Sequence, residues 1–181
     1  ITIAGTTFVT SRGDGDIRDA HDGLFVDDMR HLSQMRLCID GQPLGTSSGE
    51  LVTAAELCAE MNGTAETPIR LTRRRRVRPG GFDEDVVVRC RGDEGTTTIT
   101  LTTAADFADI VALHSGKPTI EKRPGTGDAG TYRLAEGDRT TTIRLDPPPD
   151  SESDGELRWH QLLSRESPWL LRIEVRTETG Q

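Results

Sequence analysis

Aromatic residues are scarce. One Tyr, two Trp and four Phe make up 4% of the 181 residues. Stacking of single-stranded bases needs exposed aromatic faces, and so few rings leave little after a core is built. Lysine is nearly missing: Lys117 and Lys122 are the only two among 22 basic residues. The formal net charge is −8, and an acidic surface repels phosphate backbones. Nucleic acid is therefore not an expected partner. No apolar run approaches the roughly 18 residues of a spanning helix, so no membrane partner is expected either. The three cysteines, Cys38, Cys58 and Cys90, are odd in number and form no CxxC. That excludes a paired disulfide framework and points to a reducing, cytoplasmic setting. By the same logic, the sequon Asn62-Gly63-Thr64 reads as a turn.

Motifs of the common chemistries are also missing. His21, His31, His114 and His160 are scattered, with no HExxH and no close Cys/His cluster, so no metal is expected. "SRGDGD" is neither GxGxxG nor a P-loop, and no GxSxG occurs; no cofactor and no serine nucleophile are expected. Carboxylates are in surplus. Glycoside hydrolysis uses a pair of them, and Asp27-Asp28 and Asp106…Asp109 are candidates. Among 30 acids such pairs arise by chance. Asp106 and Asp109 also sit among apolar neighbours in "AADFADI", which suggests acids fixed by arginines or hydrogen bonds. No catalytic residue is assigned.

What is present is alternation. "MRLCID" sets Met35, Leu37 and Ile39 on one face, and Asp40-Gly41 follows as a hairpin signal. "DVVVRCR" groups Val86, Val88 and Cys90; "GDEG" then turns the chain, with the second "RGD" opening a hairpin. "TTTITLTTA" sets Ile99 with Leu101, and "WLLRIEV" aligns Trp169, Leu171, Ile173 and Val175. Further strands are expected at Thr6–Thr10, Thr131–Ala135, Thr140–Leu145 and Leu157–Leu163, and "ELVTAAELCAEM" reads as one strand. Pro147 to Asp154 is a polar loop. Trp159 and Trp169 read as core residues. About ten short strands predict an all-β fold, an antiparallel β-sandwich with short helical turns at most, in a single domain over residues 1–181.

In a strand, the run "IRLTRRRRVRPGG" splits by parity. Ile69, Leu71, Arg73, Arg75 and Val77 share one face, and Arg70, Thr72, Arg74 and Arg76 the other. If the first face points inward, Arg73 and Arg75 each need a carboxylate, because an unpaired buried ion costs several kcal/mol. Asp28, Asp106 and Asp109 are the expected partners. Exposed pairing with Asp83 or Glu84 across the hairpin is the competing arrangement. Arg74 and Arg76 are expected to be more exposed.

Two stretches carry a family resemblance. "DIRDAHDGLFVDDMRHLSQMRLCIDGQPL", with Gly23-Leu24-Phe25, Asp28, Arg30, Leu32-Ser33 and Asp40-Gly41, resembles the opening of the N-terminal domain of bacterial and archaeal glycogen debranching enzymes (amylo-α-1,6-glucosidase-like proteins). "RRRRVRPGGFDEDVVVRCRGDEGTTTITLTTAADFADI" resembles that family's Arg-rich strand, hairpin and "ADFADIFEVRG" motif. The order holds over roughly Gly5 to Thr177. The chain departs at Val111-Ala112-Leu113-His114, where the family usually has Phe-Glu-Val-Arg.

The resemblance implies a β-rich domain preceding an (α/α)-barrel that hydrolyses glucan and supplies the catalytic acids. This chain, which opens on Ile and ends on "RTETGQ", is then expected to be an excised piece. Its expected role is a non-catalytic docking module, with the catalytic barrel of the same polypeptide as partner. A stand-alone carbohydrate-binding module for α-glucan is the alternative. Asp28, Arg30, Arg73, Arg75, Asp106 and Asp109 are the structural or interface candidates. An exposed apolar face is expected where the barrel would dock, open to a homodimer contact in its absence.

Overall fold

The computed structural model describes residues 1–64, 68–115 and 123–180. Among them, seventeen strands and one five-residue helix follow in chain order. They are β1 Thr2–Ala4, β2 Thr7–Thr10, β3 Gly23–Val26, β4 Met29–Leu32, β5 Gln34–Ile39, β6 Gly45–Thr53, β7 Glu56–Asn62, β8 Ile69–Arg78, β9 Gly81–Cys90 and β10 Gly95–Ala105. Helix α1 Ile110–His114 comes next, then β11 Arg123–Pro124, β12 Thr126–Asp128, β13 Thr131–Glu136, β14 Arg139–Asp146, β15 Ser151–Ser153, β16 Glu156–Leu163 and β17 Trp169–Thr179.

The fold is an all-β sandwich of antiparallel sheets. The large sheet has eight strands in the order β12-β13-β14-β17-β9-β8-β7-β6. The opposing sheet centres on β10, which pairs with β5 and β16, with β11 and β15 beside them. A third sheet runs β1-β2-β3-β4. Parity decides what faces inward. β5 alternates half-buried and buried from Gln34 to Ile39, and β8 buries Ile69, Leu71, Arg73, Arg75 and Val77. Leu71, Val86, Ile173 and Ile143 of the large sheet join Ile99, Leu101 and Trp159 of the second in one core. Trp159 is fully buried, and the half-buried Trp169 meets its ring edge-on at 5.7 Å.

Three expectations fail locally. "ELVTAAELCAEM" is a hairpin, β6–β7, turning at Ala54-Ala55. The "GDEG" turn does not close a hairpin: β9 belongs to the large sheet and β10 to the opposing one, so the chain crosses the core there. Asp40 and Gly41 do adopt the positive φ of a tight turn, and Ile39 pairs with Gln42 across it. The chain then leaves for the large sheet as β6. Short-range turn signals report the bend, and sheet membership is settled by packing beyond it. The strand count exceeds the expected ten because edge pieces such as β12 and β15 are three residues long; β15 lies inside the expected polar loop. No helix among the described residues is long and apolar enough to cross a membrane.

Candidate functional site

The inward arginines of β8 sit at the centre of the molecule. Arg73 is 2% exposed and Arg75 1%. Across the β8–β9 hairpin, Arg75 lies opposite Glu84 and Arg73 opposite Val86. Glu84, also 1% exposed, accepts from Arg73 Nε at 2.6 Å through one oxygen and from Arg75 Nε at 2.6 Å through the other. Arg73 donates further to Asp16 at 2.6 Å. Arg75 donates to the Gly15 carbonyl at 2.7 Å and stacks over the Phe82 ring at 4.7 Å. Two guanidiniums thus face two carboxylates, and the buried cluster is neutral. Gly15 has φ +86°, and a Cβ there would come within 3.3 Å of Arg73 Nε. Only glycine serves that close approach.

Electrostatics follow from burial. Burial alone would raise the Glu84 carboxyl, but Arg73 and Arg75 more than offset it and hold it below the ordinary range. Burial and the neighbouring Arg73 lower Arg75 despite Glu84. Arg73 is pushed up, because Glu84 and Asp16 outweigh its desolvation.

A second buried pair joins the two family-like stretches. Arg30 on β4 donates Nε to Asp106 Oδ1 at 3.0 Å and its terminal nitrogen to Oδ2. It also reaches the carbonyls of Ala20 at 2.6 Å and Asp22 at 3.2 Å. Such forked geometry suits arginine. Beside it, Arg30 N bonds Ala108 O and Ile110 N bonds Asp28 O, both at 2.9 Å.

The expected partnership of Arg73 and Arg75 with Asp28, Asp106 or Asp109 is not what forms. Asp106 is taken by Arg30. Asp27 and Asp28 are the two central residues of the β3–β4 turn, at φ 48° and 64°. Both positive values define a tight hairpin turn that aspartate tolerates. Asp109 is exposed and caps α1, accepting from Val111 N at 2.7 Å. The competing arrangement named the right acid, Glu84, but placed it in solvent. Parity had the signal: Phe82, Glu84, Val86 and Val88 share one face. Asp16 lies in a loop without periodicity and left none. Arg74 and Arg76 are exposed as expected, near 48% and 47%, and both meet Glu56.

Two other features stand out. His31 on β4 is buried, packs edge-on to Phe107 at 5.7 Å, and its Nδ1 has no hydrogen-bond partner. Burial and Arg139 lower its pKa from 6.5 to about 4, against the pull of Asp27. On the outer face of the second sheet, an open groove of about 640 Å³ is lined by Arg36, Cys38, Thr98, Thr100, Thr102 and Arg158, among others. Expected apolar exposure is limited to a few residues. Ile1 and Ile3 at β1 and Leu51 and Val52 on β6 lie at neighbouring edge strands, joined by Ile3 N to Ala54 O at 2.7 Å, and Val111 on α1, Leu162 on β16 and Leu170 on β17 are exposed elsewhere. No group of three or more His, Cys, Asp or Glu able to hold a metal occurs among the described residues.

The buried carboxylates Glu84, Asp16 and Asp106 are engaged by arginines, so the arrangement ties loops and strands of the fold together. Among solved structures, a chain described as "Putative kojibiose phosphorylase from human microbiome" superposes with TM-score 0.58 at 10% identity. The match covers 98% of this chain and 25% of that one, so this chain spans a quarter of the neighbour's length. At that identity the likeness concerns the fold. No curated protein matches the sequence. A family model described as the N-terminal domain of (some) glycogen debranching enzymes matches residues 3–174. The chain belongs to this family of glycogen debranching enzyme N-terminal domains.

Proposed function

We propose that this domain is a non-catalytic accessory module of an α-glucan debranching hydrolase, packed on the catalytic barrel of the same polypeptide. One observation carries the reading. In the solved neighbour this fold is one quarter of a longer chain, and the other three quarters have room for the chemistry. The acids agree with it: Glu84, Asp16 and Asp106 are committed to buried arginines. The parent is an amylo-α-1,6-glucosidase-type enzyme acting on glycogen in the cytoplasm, in keeping with three free thiols. The domain's rigid centre, built on Arg73, Arg75 and Glu84, holds the faces it offers to the barrel.

The test is association. Residues 1–181 and the remainder of the natural open reading frame are produced as separate chains and mixed. Co-elution as a 1:1 complex is expected. Two independent species refute docking, and retardation of residues 1–181 alone on glycogen gels favours a carbohydrate-binding module instead.

A further inference from the structure

The small sheet β1–β4 carries a cross-strand row that runs from solvent into the protein. Register sets Ile3 beside Phe8, Phe8 beside Phe25, and Phe25 beside Arg30. Ile3 is 48% exposed, Phe8 is half-buried, and Phe25 and Arg30 are buried. The Phe8 and Phe25 rings stack at 4.7 Å, with their planes 7° apart. Asp106 closes the inner end of the row by pairing with Arg30. The open end is apolar, and further apolar residues gather around it. Ile1 is 74% exposed. The bond from Ile3 N to Ala54 O ties β1 to the β6–β7 turn, close to Leu51 and Val52. Four of the seven exposed large hydrophobics among the described residues thus share one edge, whereas Val111, Leu162 and Leu170 stand on three separate elements. Exposed apolar residues grouped in this way mark an interaction surface, and single ones are ordinary.

The same edge lies beside the end of the last strand. Thr177 on β17 donates to Gly80 O twice, from its N at 2.8 Å and from its hydroxyl at 3.1 Å. Gly80 N donates in turn to Thr7 Oγ1 at 2.8 Å, and Thr7 precedes Phe8 on β2. The end of β17 is therefore two hydrogen bonds from the small sheet. The family is one of N-terminal domains, so the rest of such an enzyme follows β17. In the solved neighbour this fold takes up 25% of the chain.

We infer that the apolar edge formed by Ile1, Ile3 and Phe8 with Leu51 and Val52 is the surface on which the domain following β17 docks. The inference rests on the accessory reading above and adds the surface to it. The path of the chain selects the occupant. A domain tethered next to this edge meets it at a high effective concentration, which a second copy or a free ligand lacks. Its matching surface is apolar at the centre and polar at the rim, as in other interfaces.

Thiols placed on the surface report the contact. Ile3→Cys, Leu51→Cys and Leu162→Cys are made separately, all at exposed positions, in residues 1–181 and in the full polypeptide. Circular dichroism checks that each variant keeps the fold. Maleimide labelling rates are read peptide by peptide, so the native Cys38, Cys58 and Cys90 do not interfere. Docking predicts the Ile3→Cys and Leu51→Cys thiols slowed about tenfold or more in the full polypeptide, the factor that about 1.4 kcal/mol of closure gives. The Leu162→Cys thiol on the second sheet is expected to react equally fast in both forms. Equal rates in the two forms at either Ile3→Cys or Leu51→Cys overturn the inference. So does slowing at Leu162→Cys in their place. Slowing in residues 1–181 alone overturns it in favour of a second copy if it grows with protein concentration, or of a glucan site if maltooligosaccharide causes it. The two levels separate by co-elution after the segment following β17 is nicked. Failure to co-elute sinks the accessory reading itself, whereas co-elution with a fast Ile3→Cys thiol sinks only the choice of surface.

Discussion

Replacing Glu84 by Gln removes one charge and almost no volume from the centre of the sandwich. In the native cluster, Glu84 receives Arg73 Nε and Arg75 Nε at 2.6 Å each, one on each carboxylate oxygen. The glutamine keeps one acceptor and turns the other position into a donor aimed at a guanidinium. Asp16, 3% exposed, is then the only carboxylate among the described residues still bonded to the pair, through Arg73. Breaking a buried ion pair on one side costs about 3–5 kcal/mol. For a domain of this size each kcal/mol moves the midpoint by about 2–4 °C, so a drop of about 6–20 °C is expected. Thermal unfolding by circular dichroism measures it. Glu56→Gln removes the exposed acid shared by Arg74 and Arg76 and is expected to leave the midpoint in place. The fourfold change Arg73→Met, Arg75→Met, Glu84→Met and Asp16→Asn, which leaves no buried charge of the cluster behind, is expected to regain most of the loss, because apolar packing often replaces a buried ionic cluster at no net cost. A Glu84→Gln midpoint equal to that of Glu56→Gln refutes the reasoning.

Arg30→Met and Asp106→Asn are each expected to cost about 3–5 kcal/mol, and a double-mutant cycle in urea to return a coupling of about 1–3 kcal/mol; additive losses contradict the pair. His31 makes stability pH-dependent. Its folded pKa of about 4 lies below the ordinary 6.5, so the unfolded chain binds the extra proton between those values. The contribution is complete above pH 6.5 and is lost as pH falls towards 4. The gap of about 2.5 pH units, at about 1.4 kcal/mol each, sets an upper limit of about 3.5 kcal/mol. His31→Phe is expected to flatten urea stability over that window; an unchanged slope counts against the assignment. Gly49→Ala places a Cβ 2.1 Å from Gly13 O and is expected to cost about 1–3 kcal/mol, whereas Gly13→Ala meets open space and is expected to stay within about 0.5 kcal/mol.

Much of the fold was legible because strands of a sandwich alternate, and parity survives in the sequence. It placed Arg73 and Arg75 inward and Arg74 and Arg76 outward from four identical letters. It also carried the missed partner, since Glu84 keeps step with Phe82, Val86 and Val88. What parity does not carry is which elements come together. Asp16 meets Arg73 through a loop 57 residues away in sequence, and no local pattern announces that. Asp28 and Asp109 stand next to apolar residues in the sequence, yet their backbone positions decide their use, one in a hairpin turn and one as a helix cap. The crossing from β9 to β10 looked like a hairpin for the same reason: a turn signal marks the bend, not the sheet the chain joins next.

The central claim is that the chemistry lies outside residues 1–181 and that this domain serves it by docking. Glucose release from glycogen limit dextrin tests it most directly, measured for residues 1–181 alone, for the full polypeptide, and for the polypeptide without these residues. The account predicts no release by the domain alone, full activity for the intact polypeptide, and weakened activity for the truncated one that returns when the domain is added back. Release of glucose by residues 1–181 alone, or a truncated enzyme as active and as heat-stable as the intact one, contradicts it.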